Sequence, residues 1–134
     1  MGRLNAELWH DLVGIPYEFR GRGPNSFDCY GIVLTIHHRM GIIIPDVVYS
    51  INEPERFKLI GLAEGWKKTP DSKPGSVAVF RNHQGASAHC GVMIDDDDFI
   101  HATEDLHQVV VSRLSHLYSR RLVGYYEYCG NVGG

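Results

Sequence analysis

Residues 23–38 read GPNSFDCYGIVLTIHH, and two regular structures compete for them. The β-branched run after Cys29 favours a strand. The spacing favours a helix, because Cys29, Ile32, Val33 and Ile36 recur at i, i+3, i+4 and i+7 and share one face. The flanks tip the balance to the helix. Asp28 stands where an N-cap carboxylate belongs and Gly41 where a helix stops, and the GIIIPD segment must be extended ahead of Pro45. Cys29 therefore falls in a first helical turn, where unpaired N–H groups and the helix dipole stabilise negative charge.

Toward the N-terminus, Leu4, Leu8 and Leu12, with Trp9 and Val13 alongside, predict an amphipathic helix over 4–13 that ends at Gly14. IPYEFRGRGPNS (15–26) is rich in turn residues and reads as a loop. Pro54 and Gly65 bracket a further helix over 54–63. From residue 74 the character changes. GSVAVF (75–80), HCGVMI (89–94), FIHAT (99–103), QVVVSRL (108–114) and LVGYYEY (122–128) are short, β-branched or aromatic, and separated by turn residues. Helices first and strands after predict an α+β fold, with N-terminal helices packed on a C-terminal antiparallel sheet of about five strands. The DDDD at 95–98 reads as a hairpin turn and residues 130–134 as a frayed tail. With no internal repeat or linker, 1–134 reads as a single domain.

Composition narrows the function classes. Hydrophobic residues make up 43% and charged residues 22%, with a net charge of −3, so nothing draws the chain to nucleic acid or to an anionic membrane. No apolar run approaches the ~20 residues that span a bilayer. MGRLNAELWHDLV lacks the continuous apolar core of a signal peptide, so synthesis in a reducing cytoplasm is expected. Three scattered cysteines make no disulfide framework. Cys90 and Cys129 fall in strands, where a free cysteine is commonly a small buried hydrophobe.

Cys29 has a more reactive setting. A thiol at a helix N-terminus has its pKa lowered from ~8.5 toward roughly 3.5–7.5, especially beside a histidine, and the same N–H groups can hold an oxyanion. Simple packing of Cys29 with Ile32, Val33 and Ile36 stands equally open from position alone. A nucleophile needs a base, and the base an orienting partner. Of eight histidines, His37 and His38 share the Cys29 helix, His10, His107 and His116 lie in surface contexts, and His83 is in a loop. His89 and His101 flank one hairpin, HCGVMI-DDDD-FIHA. If Ile94 pairs with Asp98, Gly91 faces His101 and His89 is two residues away on the same face. If Ile94 pairs with Phe99, the two histidines face opposite sides. Both registers stand open here.

Three motifs in order now resemble the NlpC/p60 cysteine peptidases of bacterial cell walls. GIPYEF resembles that family's Gly-x-Pro-Tyr-x-aromatic segment, and FDCYGIV its Asp-Cys-Ser-Gly-Leu-Val nucleophile motif. GSVAVF with HCGVMIDDDDFIHA is similar to its later strands, so the likeness runs over about residues 12–103. The resemblance implies a papain-like α+β fold with Cys29 as nucleophile, His89 as general base and His101 as the orienting third residue. It implies a substrate-side or oxyanion-supporting role for Tyr17, a substrate contact from the capping Asp28, no metal and no cofactor. The implied substrate is the peptidoglycan stem peptide, cut between γ-D-glutamate and a diamino acid.

Two positions depart from the family pattern. Tyr30 replaces a serine that helps recognise the end of the stem peptide, and RGRG replaces a glycine pair, bringing Arg20 and Arg22 near the cleft. Both could pair with substrate carboxylates, and a role as solvated loop charges stands equally open. Asp-Cys-Tyr-Gly and GIIIPD resemble the branch found in phage and prophage tails, which implies other tail proteins as partners and action at the cell wall. Two alternatives stand beside this reading. One is an inactive relative serving as a structural or peptidoglycan-binding tail part, with Tyr30 narrowing the cleft. The other is a metal site built from His89, His101, His107 and the Asp95–Asp98 turn.

Overall fold

A computed structural model describes residues 2–46, 65–81 and 87–130 of the chain. The helix expected over 54–63 lies outside the described residues. Helix α1 runs Cys29–Arg39, with Asp28 as N-cap, Met40 as C-cap and Gly41 beyond it at φ +83°. The Asp28 carboxylate accepts the Gly31 N–H at 2.7 Å. That bond satisfies one orphan donor and fixes where the helix begins. Ile32, Val33 and Ile36 are wholly buried, so tertiary packing outweighs the weak helix propensity of the β-branched run.

The helix expected over 4–13 is instead two 3₁₀ turns, Ala6–Leu8 and His10–Leu12, broken at Trp9. Long-range contacts explain the break. The Leu4 N–H donates to the Ile94 carbonyl at 2.7 Å, and the Trp9 indole donates back to the Leu4 carbonyl. Leu4 and Leu12 still reach the core. The i, i+4, i+8 spacing reported burial correctly and helix type incorrectly.

Six antiparallel strands follow: β1 Trp66–Thr69, β2 Val77–Arg81, β3 Ser87–Met93, β4 Asp98–Thr103, β5 Gln108–Arg113 and β6 Leu122–Tyr128. Their spatial order is β1-β6-β2-β3-β4-β5. The strand missed by the sequence reading is β1, which pairs with β6 from Trp66↔Tyr128 to Thr69↔Tyr125. A one-turn helix, α2 His116–Ser119, links β5 to β6. Residues 95–98 do form a turn, with the Asp95 side chain accepting the N–H groups of Asp97 and Asp98.

Both faces of the sheet are covered, which is why β2 and β4 are buried along almost their whole length. Val77, Val79, Cys90, Val92, Ile100 and Ala102 belong to the core shared with α1. Ala78, Phe80, Met93 and Phe99 form a second core beneath Tyr118 and Leu122. The loop before α1 is stitched down by Tyr17 N–H to His107 O, Phe27 N–H to Pro16 O and Asp28 N–H to Gly21 O. Gly21 presses closest. Its carbonyl oxygen lies 2.2 Å from where a Cβ on Gly31 would stand. Gly31→Ala should therefore lose stability at the upper end of the ~1–3 kcal/mol typical of overpacking, or beyond it, because the obstacle is backbone. Urea denaturation checks this, and an unchanged midpoint would contradict it.

Candidate active site

The α1 cap places Cys29 in the first turn, almost fully buried at 4% exposure. Its neighbours come from β3. Burial alone opposes ionisation of the thiol, yet hydrogen bonds from Cys90 and His89, together with the charge on His89, hold its pKa down at about 6. The Asp28 carboxylate pushes weakly the other way. Cys90, fully enclosed, moves in the opposite direction. Burial and then the adjoining Cys29 drive its thiol well above the ordinary range, so it stays protonated and can donate.

The hairpin register is the one in which Ile94 faces Asp98. The Ile94 N–H donates to the Asp98 carbonyl, and the ladder pairs Met93↔Phe99 and Val92↔Ile100. His89 and His101 consequently meet, with Nε2 of the first 2.7 Å from Nδ1 of the second. His101 Nε2 lies 2.8 Å from Ser112 Oγ on β5. His101 is completely buried against Phe99 and Tyr118, and burial followed by the neighbouring His89 pushes its pKa down to about 2. It is a neutral ring at any working pH. With Nε2 occupied, His89 has Nδ1 left for the Cys29 sulfur. The β2–β3 ladder slips between Phe80 and Arg81, opposite His89 and Ser87, a bulge of the kind that re-aims side chains beside functional sites.

Other expected site residues lie elsewhere in the network. Tyr30 is fully enclosed, its hydroxyl donating to the Pro45 carbonyl at 2.6 Å and burial pushing its pKa up. It neither lines nor narrows a cleft, since one residue along a helix turns the side chain by about 100°. Arg22 is committed internally. Its Nη1 donates to Asp28 Oδ1 at 2.7 Å, and its Nε and Nη2 grip Asp46 at 2.9–3.1 Å. It is a structural clamp rather than a free receptor for substrate carboxylates. Asp28 is 2% exposed, with Oδ1 shared between Gly31 and Arg22 while buried Oδ2 meets no donor. Arg20 lies exposed at φ +66°, its guanidinium over Phe19. Tyr17 is half-buried and bridges Phe27. His37 is buried against Trp66 and bonded to Val33, and His38 is exposed. Among the described residues no three His, Cys, Asp or Glu side chains converge as a metal-binding group, so the set of His89, His101, His107 and the aspartate turn does not assemble.

Three contributors escaped the sequence reading. Cys90 looked like any buried strand cysteine, and only strand parity beside His89 hints at its contact. Asp46 lies beyond the helix and carries no local signal. Ser112 had one, a lone hydroxyl in an otherwise apolar VVVSR run.

A buried thiol at a helix N-terminus, faced by paired imidazoles on an antiparallel sheet, defines an α+β class of domain. The chain belongs to the NlpC/P60 family, whose model matches residues 14–126. It is 29% identical over 93 residues to "Probable endopeptidase Rv2190c" of Mycobacterium tuberculosis, covering 68% of this chain and 20% of that protein. It is 25% identical over 107 residues to "Probable peptidoglycan endopeptidase LytE" of Bacillus subtilis, covering 80% of this chain and 28% of that one. The chain thus spans less than a third of the length of these curated relatives. NlpC2 of Trichomonas vaginalis shares the fold with a TM-score of 0.70 at 22% identity, over 92% of this chain and 45% of that one.

Two measurements probe this geometry. The rate of Cys29 alkylation by iodoacetamide should rise through a midpoint near pH 6 and level off above it, and Cys90→Ala should move that midpoint upward by removing a donor. Arg22→Ala should cost about 2–3 kcal/mol in denaturant, less than the ~3–5 of a fully buried pair because Arg22 is partly exposed. A variant that lost only substrate affinity would restore Arg22 to the receptor role.

Proposed function

We propose that this domain is a cysteine peptidase that hydrolyses amide bonds in peptidoglycan stem peptides, of the γ-D-glutamyl–diamino acid type. The observation that carries the reading is the unbroken run from the Cys29 thiol, held near pKa 6, through His89 to His101. Family membership and the names of the Mycobacterium and Bacillus relatives support it.

In this mechanism the Cys29 thiolate attacks the scissile carbonyl carbon, and backbone N–H groups at the start of α1 hold the oxyanion. Protonated His89 passes its Nδ1 proton to the departing amine, leaving a thioester on Cys29. Water then attacks the thioester carbonyl as His89 takes its proton, and the acid product leaves as the Cys29–His89 pair is restored. His101 accepts from His89 Nε2 and keeps Nδ1 aimed at the sulfur. The DCYG and GIIIPD segments extend the proposal to a phage or prophage tail component acting at the cell wall beside other tail proteins.

Mass spectrometry of defined stem peptides after incubation tests the chemistry and the bond together. Wild type should release the fragment beginning with the diamino acid. Cys29→Ala should lose at least ~10³-fold in rate, while Cys90→Ser should stay within about tenfold, since Cys90 only donates to the thiolate. Cleavage by Cys29→Ala would refute the mechanism.

A further inference from the structure

Building on the peptidase reading, we infer that Ser112 is a positioning residue: its Oγ receives the Nε2 hydrogen of the His101 tautomer that keeps His89 pointed at Cys29. His101 Nε2 lies 2.8 Å from Ser112 Oγ, and Nδ1 lies 2.7 Å from His89 Nε2. A neutral imidazole has one N–H and one lone pair. The proton-carrying form of His89 needs both of its own N–H groups, one toward Cys29 and one toward His101. His101 must then accept at Nδ1, so its hydrogen sits on Nε2 and Ser112 must receive it. The opposite tautomer of His101 would donate to His89 Nε2 and leave His89 unable to hold the second proton.

Among the described residues, Ser112 is the hydrogen-bond partner of His101 Nε2. His101 is fully enclosed, with Phe99 at 4.5 Å, the His89 ring at 5.0 Å and Tyr118 edge-on at 5.6 Å. Tyr118, from the one-turn helix α2, covers the ring where solvent would otherwise reach it. Without the serine oxygen, the Nε2 hydrogen is buried with no acceptor, and the ring is drawn to the wrong tautomer or out of plane. The register makes the pairing specific. On β5 it is Val110 that faces His101, and Ser112 faces Phe99, so the contact is a diagonal one on the same face of the sheet.

Ring nitrogen-15 shifts of His101, read beside steady-state kinetics, test this. Wild type should show a protonated Nε2 and an unprotonated Nδ1. Ser112→Ala should lose that fixed tautomer and drop about 5–30-fold in kcat with KM nearly unchanged, the equivalent of losing about 1–2 kcal/mol. Ser112→Thr, which keeps the hydroxyl and suits a strand, should restore both. An unchanged tautomer in Ser112→Ala, or a kcat loss that Thr fails to rescue, would overturn the assignment. Failure of wild type to cleave any stem peptide would sink the peptidase reading alone, because the ring shifts still report whether Ser112 sets the tautomer.

Discussion

One carboxylate oxygen sets the geometry of the molecule. Asp28 Oδ1 accepts the Gly31 N–H and the Arg22 guanidinium at the same 2.7 Å, so a single atom starts the helix and anchors the loop that leads into it. Move that atom and Cys29 changes its height relative to β3. The arrangement has an electrostatic cost, because a buried carboxylate one residue from a thiol disfavours the thiolate. Arg22 offsets it by lying between Asp28 and Asp46. The cluster of two aspartates and one arginine is thus best understood as scaffolding for the helix that carries Cys29, which also explains why Arg22 is committed within the protein.

Burial acts in opposite directions on the two ends of the row from Cys29 to His101. It disfavours every charge, raising a thiol and lowering an imidazole. At Cys29 the donors Cys90 and His89 overcome it, and the thiol titrates near 6. At His101 nothing overcomes it, and the ring stays neutral. That asymmetry suits the chemistry. A third residue that ionised would repel the imidazolium it has to orient, whereas a neutral, dry ring fixed on both nitrogens offers a lone pair in one direction only.

How far the sequence could be read depended on the range of the interactions. The Asp28 cap, the α1 face and five of the strands announce themselves within a few residues, because capping and apolar periodicity are local. Strand β1 does not. WKKT has two exposed lysines and owes its strand character to pairing with β6 at the far end of the chain. The 3₁₀ turns at the N-terminus likewise depend on Leu4 reaching Ile94. Site residues divide in the same way. Cys29, His89 and His101 carry motif-level signals, and their proximity hung on a hairpin register with two possible answers. Tyr30 and Arg22 turn to internal partners because nearness in sequence to the thiol says nothing about direction, and Asp46 carries no sequence signal because it is joined to the site only through space.

The sheet itself explains how imidazoles on the face away from α1 can serve a thiol on α1. By strand parity His101 shares the side of Phe99 and Tyr118, and His89 that of Gly91 and Met93, whereas Cys90 belongs to the core beneath the helix. In a continuous sheet the two sides would be sealed from each other. Here β3 pairs with β4 only at Val92↔Ile100 and Met93↔Phe99, while β4 stays paired with β5 through Thr103. Past that short ladder His89 has no backbone pairing to β4 and stands at an open margin, within reach of the helix on one side and of the His101 side chain on the other. Gly91 makes the margin possible. A Cβ there would lie 2.9 Å from the Ile100 carbonyl oxygen and 3.0 Å from His101 Cβ, wedging apart the two strands whose closeness brings the histidines together. The row from Cys29 through His89 to His101 therefore lies at an interruption of the sheet, directly beside the start of α1.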